Sequence, residues 1–166
     1  MRTLLVLRHA KSSLEYPKLS DHDRPLNKRG QSDAPRIGRL LRQQRLSPGA
    51  IISSTAKRAR QTAEEVVLGS TFDGAIQFEP RLYLGDPATI LDVVRRANPD
   101  TSRVMIVAHN PGLEELIRRL ADEDESLPTA GLAQLRLPID TWKDLRVSTR
   151  GQLVSLWRPK ELKDGD

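Results

Sequence analysis

The sequence predicts an α/β fold: a three-layer αβα sandwich around a mostly parallel sheet with antiparallel edge strands. Three observations predict it. Four short apolar runs are each followed by an amphipathic stretch of helical period, the β-α alternation of a layered α/β domain. Two of those runs, RTLLVL (2–7) and RVMIVAH (103–109), are apolar nearly throughout, as strands covered on both faces are. The last two strand-like segments, LAQLRL (132–137) and QLVSLW (152–157), instead alternate apolar and polar residues, as half-covered antiparallel strands do.

In chain order, residues 2–7 read as the first buried strand. Residues 10–27 are polar and carry Pro17 and Pro25, which predicts a long loop of the kind that often serves function. Asn27 is suited to cap the helix that follows, but Gly30 and Pro35 leave its first turns open and allow a start as late as Pro35. SPGAIISS is a turn and a short strand ending at Ser53, and TAKRARQTAEEVVLG is helical with Gly69 as its expected stop. AIQFEP reads as a third strand. Asp86 and Pro87 open a helix through ATILDVVRRA, RVMIVAH is the fourth strand, and Pro111 opens a helix with Leu113, Leu116, Ile117 and Leu120 on one face. The acidic run Asp122 to Glu125 reads as a solvated loop. Residues 1–159 are expected to form a single domain and residues 160–166 a frayed tail.

Composition narrows the function classes. The chain has 166 residues, 37% hydrophobic and 30% charged, which is the balance of a folded globular protein. No apolar run approaches the roughly 20 residues that span a bilayer, and the first one stops at Leu7, too short for a signal-peptide core. The expectation is a cytoplasmic protein with no membrane partner. The absence of cysteine excludes disulfides, thiolate nucleophiles and cysteine-based zinc sites. The net charge of +5 suits an anionic ligand, yet Arg36, Arg39, Arg42 and Arg45 read as a solvated helix face. Aromatic residues make up only 4%, too few for base-stacking platforms, so nucleic acid is not the expected partner.

Ligands in open α/β sheets bind beyond the carboxyl ends of the parallel strands. Three strand ends carry chemistry: Arg8 and His9; Ser53 and Ser54, with Arg58 on the next helix; and His109, just before a helix. If the strands are parallel neighbours, two histidines and two arginines meet on one rim. That set suits phosphoryl transfer. Arginines hold the equatorial phosphoryl oxygens by forked, charge-assisted hydrogen bonds. A neutral imidazole attacks phosphorus and forms a covalent phosphoenzyme, and its other ring nitrogen should donate to a backbone carbonyl that fixes the tautomer. The helix opened by Pro111 is a further candidate source of N–H groups for the anion. No metal and no cofactor are expected, since Arg8 beside His9 would repel a cation.

The motifs LRHAKS, RPLNKRG, ISSTAKRARQTA and VAHNPGLEEL occur in this order over essentially the whole chain. Together they resemble the histidine phosphatase superfamily, the relatives of cofactor-dependent phosphoglycerate mutase, and most nearly its SixA-type phosphohistidine phosphatases. The resemblance implies a phosphoglycerate mutase-like fold. It implies that His9 is the phosphorylated nucleophile, that Arg8 and Arg58 clamp the phosphoryl oxygens and that His109 donates to the transferring group. Arg24, in the RPL motif, resembles a further phosphate-binding arginine, whereas Asn27 and Gly30 read as cap and packing residues. His22 is taken as an exposed loop residue.

Two positions depart from the commoner pattern. Ala10 stands where many relatives have glycine, a change of one methyl group. Leu84 stands where many relatives carry the glutamate that serves as general acid. Glu79, Asp86, Asp21 and Asp23 lie near in sequence, but no motif assigns any of them, so the general acid is left unknown. An alkoxide leaving group needs such a donor, and the help is worth about 10²–10⁴-fold. Imidazole, with a side-chain pKa near ~6.5, needs it less. The leading expectation is therefore a metal-independent phosphatase acting through a phosphohistidine intermediate on phosphohistidine of a signalling protein. A small-molecule phosphomonoesterase for a sugar phosphate or nucleotide is the alternative, and a non-catalytic anion-binding module is a third reading.

Overall fold

The computed structural model describes residues 1–163. Its six strands are β1 (Arg2–Arg8), β2 (Ala50–Ser53), β3 (Gln77–Phe78), β4 (Arg103–Ala108), β5 (Leu132–Leu137) and β6 (Gln152–Trp157), joined in the order β3-β2-β4-β1-β5-β6. The first four are parallel; β5 runs antiparallel to β1, and β6 antiparallel to β5. The expected three-layer sandwich with antiparallel strands at one edge is thus the observed fold. The helices are α1 (Lys28–Gln43), α2 (Lys57–Gly69), α3 (Pro87–Arg95) and α4 (Gly112–Ala121). None among the described residues is long and apolar enough to cross a membrane.

The continuous apolar run of β1 has a direct cause. Leu4 and Val6 face a core that includes Ile90, Leu113, Leu116 and Ile117 of α3 and α4. Leu5 and Leu7 face a second core with Ile37, Leu41, Ala63 and Val66 of α1 and α2. Both faces are covered, so no polar residue is tolerated between Leu4 and Leu7. In β6 the outer position gives only partial cover: its first four residues alternate between exposed and half-buried, and none of the six is fully buried.

Several local expectations change. Helix α1 begins at Lys28, not near Pro35, because the Asn27 side chain accepts from Gly30 N–H at 2.9 Å and caps the first turn. Pro35 lies inside the helix. Burial of Ala34, Ile37, Leu40 and Leu41 on the same element outweighs the roughly 3 kcal/mol that an interior proline costs. Helix α2 does end at Gly69, as expected, and this glycine also serves close packing: a Cβ on Gly38 of α1 would lie 3.0 Å from the Gly69 Cα. The third strand shrinks to Gln77–Phe78. The predicted arginine face is not uniform. Arg36 is only part-exposed and donates to Pro159 O and Leu162 O, while Arg45 lies beyond the helix in a left-handed turn with φ 57°. Leu162 belongs to the segment expected to fray, and Pro159 is the residue just before it. Residues 159–161 form a 3-10 turn and Leu162 packs against the second core, whereas residues 164–166 lie outside the described residues. Asp122, Glu123 and Asp124 are exposed, as a solvated loop requires, but Glu125 is half-buried and accepts from Arg158 Nη2 at 3.1 Å.

The loop from Ala10 to Asn27 is closed at its base. Ser12 pairs with Leu26 in an isolated bridge, Ser13 N–H donates to Pro25 O at 2.8 Å, and Asn27 N–H donates to Lys11 O at 3.0 Å. Its tip, a 3-10 turn at Asp21–Asp23, is thereby folded back over the carboxyl end of the sheet.

Candidate active site

Strands β1, β4 and β2 are side by side and parallel, so His9, His109 and Ser54 emerge on the same rim. The two imidazole rings stand 5.1 Å apart. Both side chains are almost fully buried, as is Arg58. A cavity of about 300 Å³ opens at this rim. It brings together every residue that the sequence singled out: Arg8, His9, Arg24, Arg58 and His109 all line it, with Lys11, Ser12, Leu14, Leu84, Asn110 and Thr129.

His9 is held in one tautomer. Its Nδ1 lies 2.7 Å from Ala10 O, and a carbonyl can only accept, so Nδ1 carries the proton. Ala10 is itself fixed: its N–H donates to Thr62 Oγ1 at 3.0 Å, and that hydroxyl donates to Arg58 O at 2.7 Å. The lone pair of His9 is therefore on Nε2, which accepts from Arg58 Nε at 3.3 Å. Burial, then the Arg58, Arg8 and Arg24 charges, push the His9 pKa down to about 4 against the opposing pull of the Ala10 carbonyl. His109 is pushed down to about 3, by burial first and then by His9 and Arg58. Both imidazoles are neutral at pH 7, the state a nitrogen nucleophile needs.

These shifts set an acid sensitivity. In the unfolded chain both histidines take up protons near ~6.5. In the folded chain they stay neutral until about pH 4 and about pH 3. Between those limits the unfolded state binds more protons, so stability falls as pH is lowered from about 6.5 towards 4. Melting curves at pH 7 and pH 4.5 should show a lower Tm at the acid value. The gap should narrow in a His9→Ala/His109→Ala double variant, and an unchanged gap would refute the assignment of the effect to these rings.

Arg58 reaches the rim from the first turn of α2 and is oriented by the folded-back loop. Its Nη1 donates to Asp21 O at 2.6 Å and its Nη2 to Asp21 Oδ2 at 3.0 Å. The other carboxylate oxygen of Asp21 accepts from Arg24 Nε at 3.2 Å and Nη2 at 3.0 Å. Arg24 Nη1 also donates to Ser12 Oγ at 2.7 Å. Asp21 thus links the two arginines. The Tyr83 hydroxyl donates to Oδ2 at 2.6 Å, and it, followed by Arg24 and Arg58, holds the Asp21 carboxyl far below the usual carboxylate range. Arg8 is steadied from another side by donating to Leu127 O at 3.1 Å.

The sequence left Asp21 unassigned and missed Tyr83. The Asp-x-x-Arg spacing of Asp21 and Arg24 was the available signal, but only the closed loop shows that it turns towards Arg58. Tyr83 stands edge-on to His109 and to His22, with ring separations of 5.4 and 4.8 Å. His22 is accordingly not a free exposed residue: its side chain is 39% exposed, and its Nε2 lies 2.8 Å from Thr55 Oγ1. Leu84 lines the cavity, is 58% exposed and has a left-handed backbone, φ 54°. The next residue, Gly85, packs its carbonyl so tightly on Gly112 that a Cβ there would collide. The amino end of α4 therefore abuts this loop. Leu113 N–H donates to His109 O in the first backbone bond of the helix, and Glu114 and Glu115 lie in its first turn.

The family model of the histidine phosphatase superfamily (branch 1) matches residues 4–83. A protein of Agrobacterium tumefaciens assigned as the phosphohistidine phosphatase SixA is 30% identical, with a TM-score of 0.81 over 95% of this chain and 98% of that one. Its counterpart from Nakamurella multipartitia is 26% identical, with a TM-score of 0.83 over 95% and 96%. An uncharacterized protein of Mycobacterium tuberculosis is 33% identical over 151 residues, 84% of this chain and 91% of that one.

Proposed function

The chain belongs to the histidine phosphatase superfamily, and on that premise we propose that it removes the phosphoryl group from phosphohistidine of a protein. It acts as a phosphatase through a covalent intermediate on His9. One observation carries the choice of substrate: among the described residues no carboxylic acid lines the catalytic cavity, and Leu84 occupies its lip. Asp21, which contacts the lining residues Arg24 and Arg58, is ionised and also accepts from Tyr83, so it has no proton to give.

The reaction balances without such an acid. The lone pair on His9 Nε2 attacks phosphorus while the P–N bond of the substrate breaks. The substrate ring, carrying a proton on its other nitrogen, departs as neutral imidazole. Nucleophile and leaving group are then the same chemical group, so the transfer is close to thermoneutral. Arg8, Arg58 and Arg24 hold the phosphoryl oxygens, and His109 donates to one of them. Water next attacks phosphorus, inorganic phosphate leaves, and the bond pair returns to Nε2. The exposed leucines Leu14 and Leu84 add apolar surface to an otherwise polar, open cavity, a combination that suits a protein surface better than a small enclosed metabolite.

The test is a substrate profile: a protein phosphorylated on histidine against a panel of sugar phosphates and nucleotides. Faster hydrolysis of the phosphoprotein is expected, and one ester cleaved far faster would overturn the proposal. Leu84→Glu places a carboxyl at the cavity lip. It should raise kcat/KM for an alkyl phosphate by about tenfold or more, within the usual range for general-acid help, and leave phosphohistidine turnover without a gain. A pH–rate profile on the ester should acquire a new alkaline limb; no gain on esters would argue that the vacant acid position does not set specificity.

A further inference from the structure

The Ser54 side chain is fully buried and is not used in the mechanism above. Its Oγ has two neighbours within hydrogen-bond distance: Ala56 N–H, which donates to it at 3.2 Å, and His109 Nε2 at 2.7 Å. Its hydroxyl proton thus has a single acceptor in reach among the described residues, the ring nitrogen of His109. If Nε2 instead carried a proton and donated to Ser54, the serine hydroxyl proton would be buried without an acceptor, a costly arrangement.

We propose that Ser54 sets the tautomer of His109: its hydroxyl donates to Nε2, so that Nδ1–H becomes the donor facing the phosphoryl site. The other side of the ring agrees. His109 Nδ1 is 3.5 Å from Arg58 Nη2, at the outer limit for a hydrogen bond and reasonable for two donors that face one another. An anionic oxygen placed between them accepts from both. The arrangement also explains how a histidine that stays neutral to well below pH 7 donates to a phosphoryl oxygen: it needs no second proton, only the right one. Ser54 is a positioning residue, since it acts through His109. The inference rests on the proposed phosphatase reading only for the use made of Nδ1–H; the tautomer itself is independent of any substrate.

The test is nitrogen-15 NMR of the imidazole resonances at neutral pH, on the full chain, before and after addition of inorganic phosphate. Wild type should show His109 with a protonated Nδ1 and a pyridine-type Nε2, the Nδ1 signal moving when phosphate binds. A protonated Nε2 in wild type overturns the proposal, whatever the enzyme hydrolyses. In Ser54→Ala the Nδ1–H form should lose its dominance, and kcat for a phosphoramidate should fall about tenfold with KM changed less. A variant that keeps the wild-type tautomer and turns over within twofold of wild type also overturns it. Thermal melts of the variant separate this effect from loss of fold.

Discussion

His9→Ala is expected to lower turnover by about 10⁴–10⁶-fold and to abolish covalent labelling by a radiolabelled phosphate donor. The geometry makes the loss this large because no second nucleophile is available at the same place. His109 is 5.1 Å away by ring centre, and its Nε2 is engaged with Ser54 on the far side. Water could attack directly, helped by Arg8, Arg58 and Arg24, so a residual rate above the uncatalysed one is expected. The anion site itself should survive, because His9 contributes its lone pair and not a donor to the bound phosphate. Inorganic phosphate should therefore still bind the variant in a calorimetric titration. Activity retained within tenfold, or labelling on another residue, would remove His9 from the nucleophile's place.

The two halves of this site differed in how well the sequence disclosed them. Arg8, His9 and His109 were legible because each follows a strand whose apolar run is itself legible, and parallel strands deliver their ends to one rim. Arg58 followed from its distance beyond the second such strand. The loop residues were not legible in the same way. Asp21 and His22 reach the site only because Ser12 and Leu26 pair at the base of a loop with no apolar period of its own. The start of α1 was obscured for a related reason. Local propensity at Gly30 and Pro35 argued for a late start, but the Asn27 cap and the buried face over Ala34 to Leu41 outweigh it. Leu84 was legible as a missing acid. Its left-handed backbone was not, and it lies beside a close approach of Gly85 to Gly112, residues 27 positions apart in the chain.

Arg58→Ala should lower kcat/KM by about 10³-fold or more, and Arg58→Lys should recover little of it. The guanidinium performs three tasks at once. Its Nε donates to the nucleophilic nitrogen of His9 at 3.3 Å, and its two terminal nitrogens are set by Asp21 at 2.6 and 3.0 Å. A lysine ammonium supplies one point of charge and cannot span Asp21, His9 and a phosphoryl oxygen together. Charge in the pocket is therefore not what Arg58 chiefly supplies; the fixed fork is. A second consequence separates this account from simple loss of charge. After burial, Arg58 is the leading charge that depresses the His9 pKa, so its removal should raise that pKa from about 4 towards the ordinary histidine value. The acid limb of the pH–rate profile should then move up in Arg58→Ala and stay nearly in place in Arg58→Lys, although both are slow. If Arg58→Lys turned over like wild type, a diffuse positive potential would suffice, and the forked contact between Asp21, Arg58 and His9 would have no part in the chemistry.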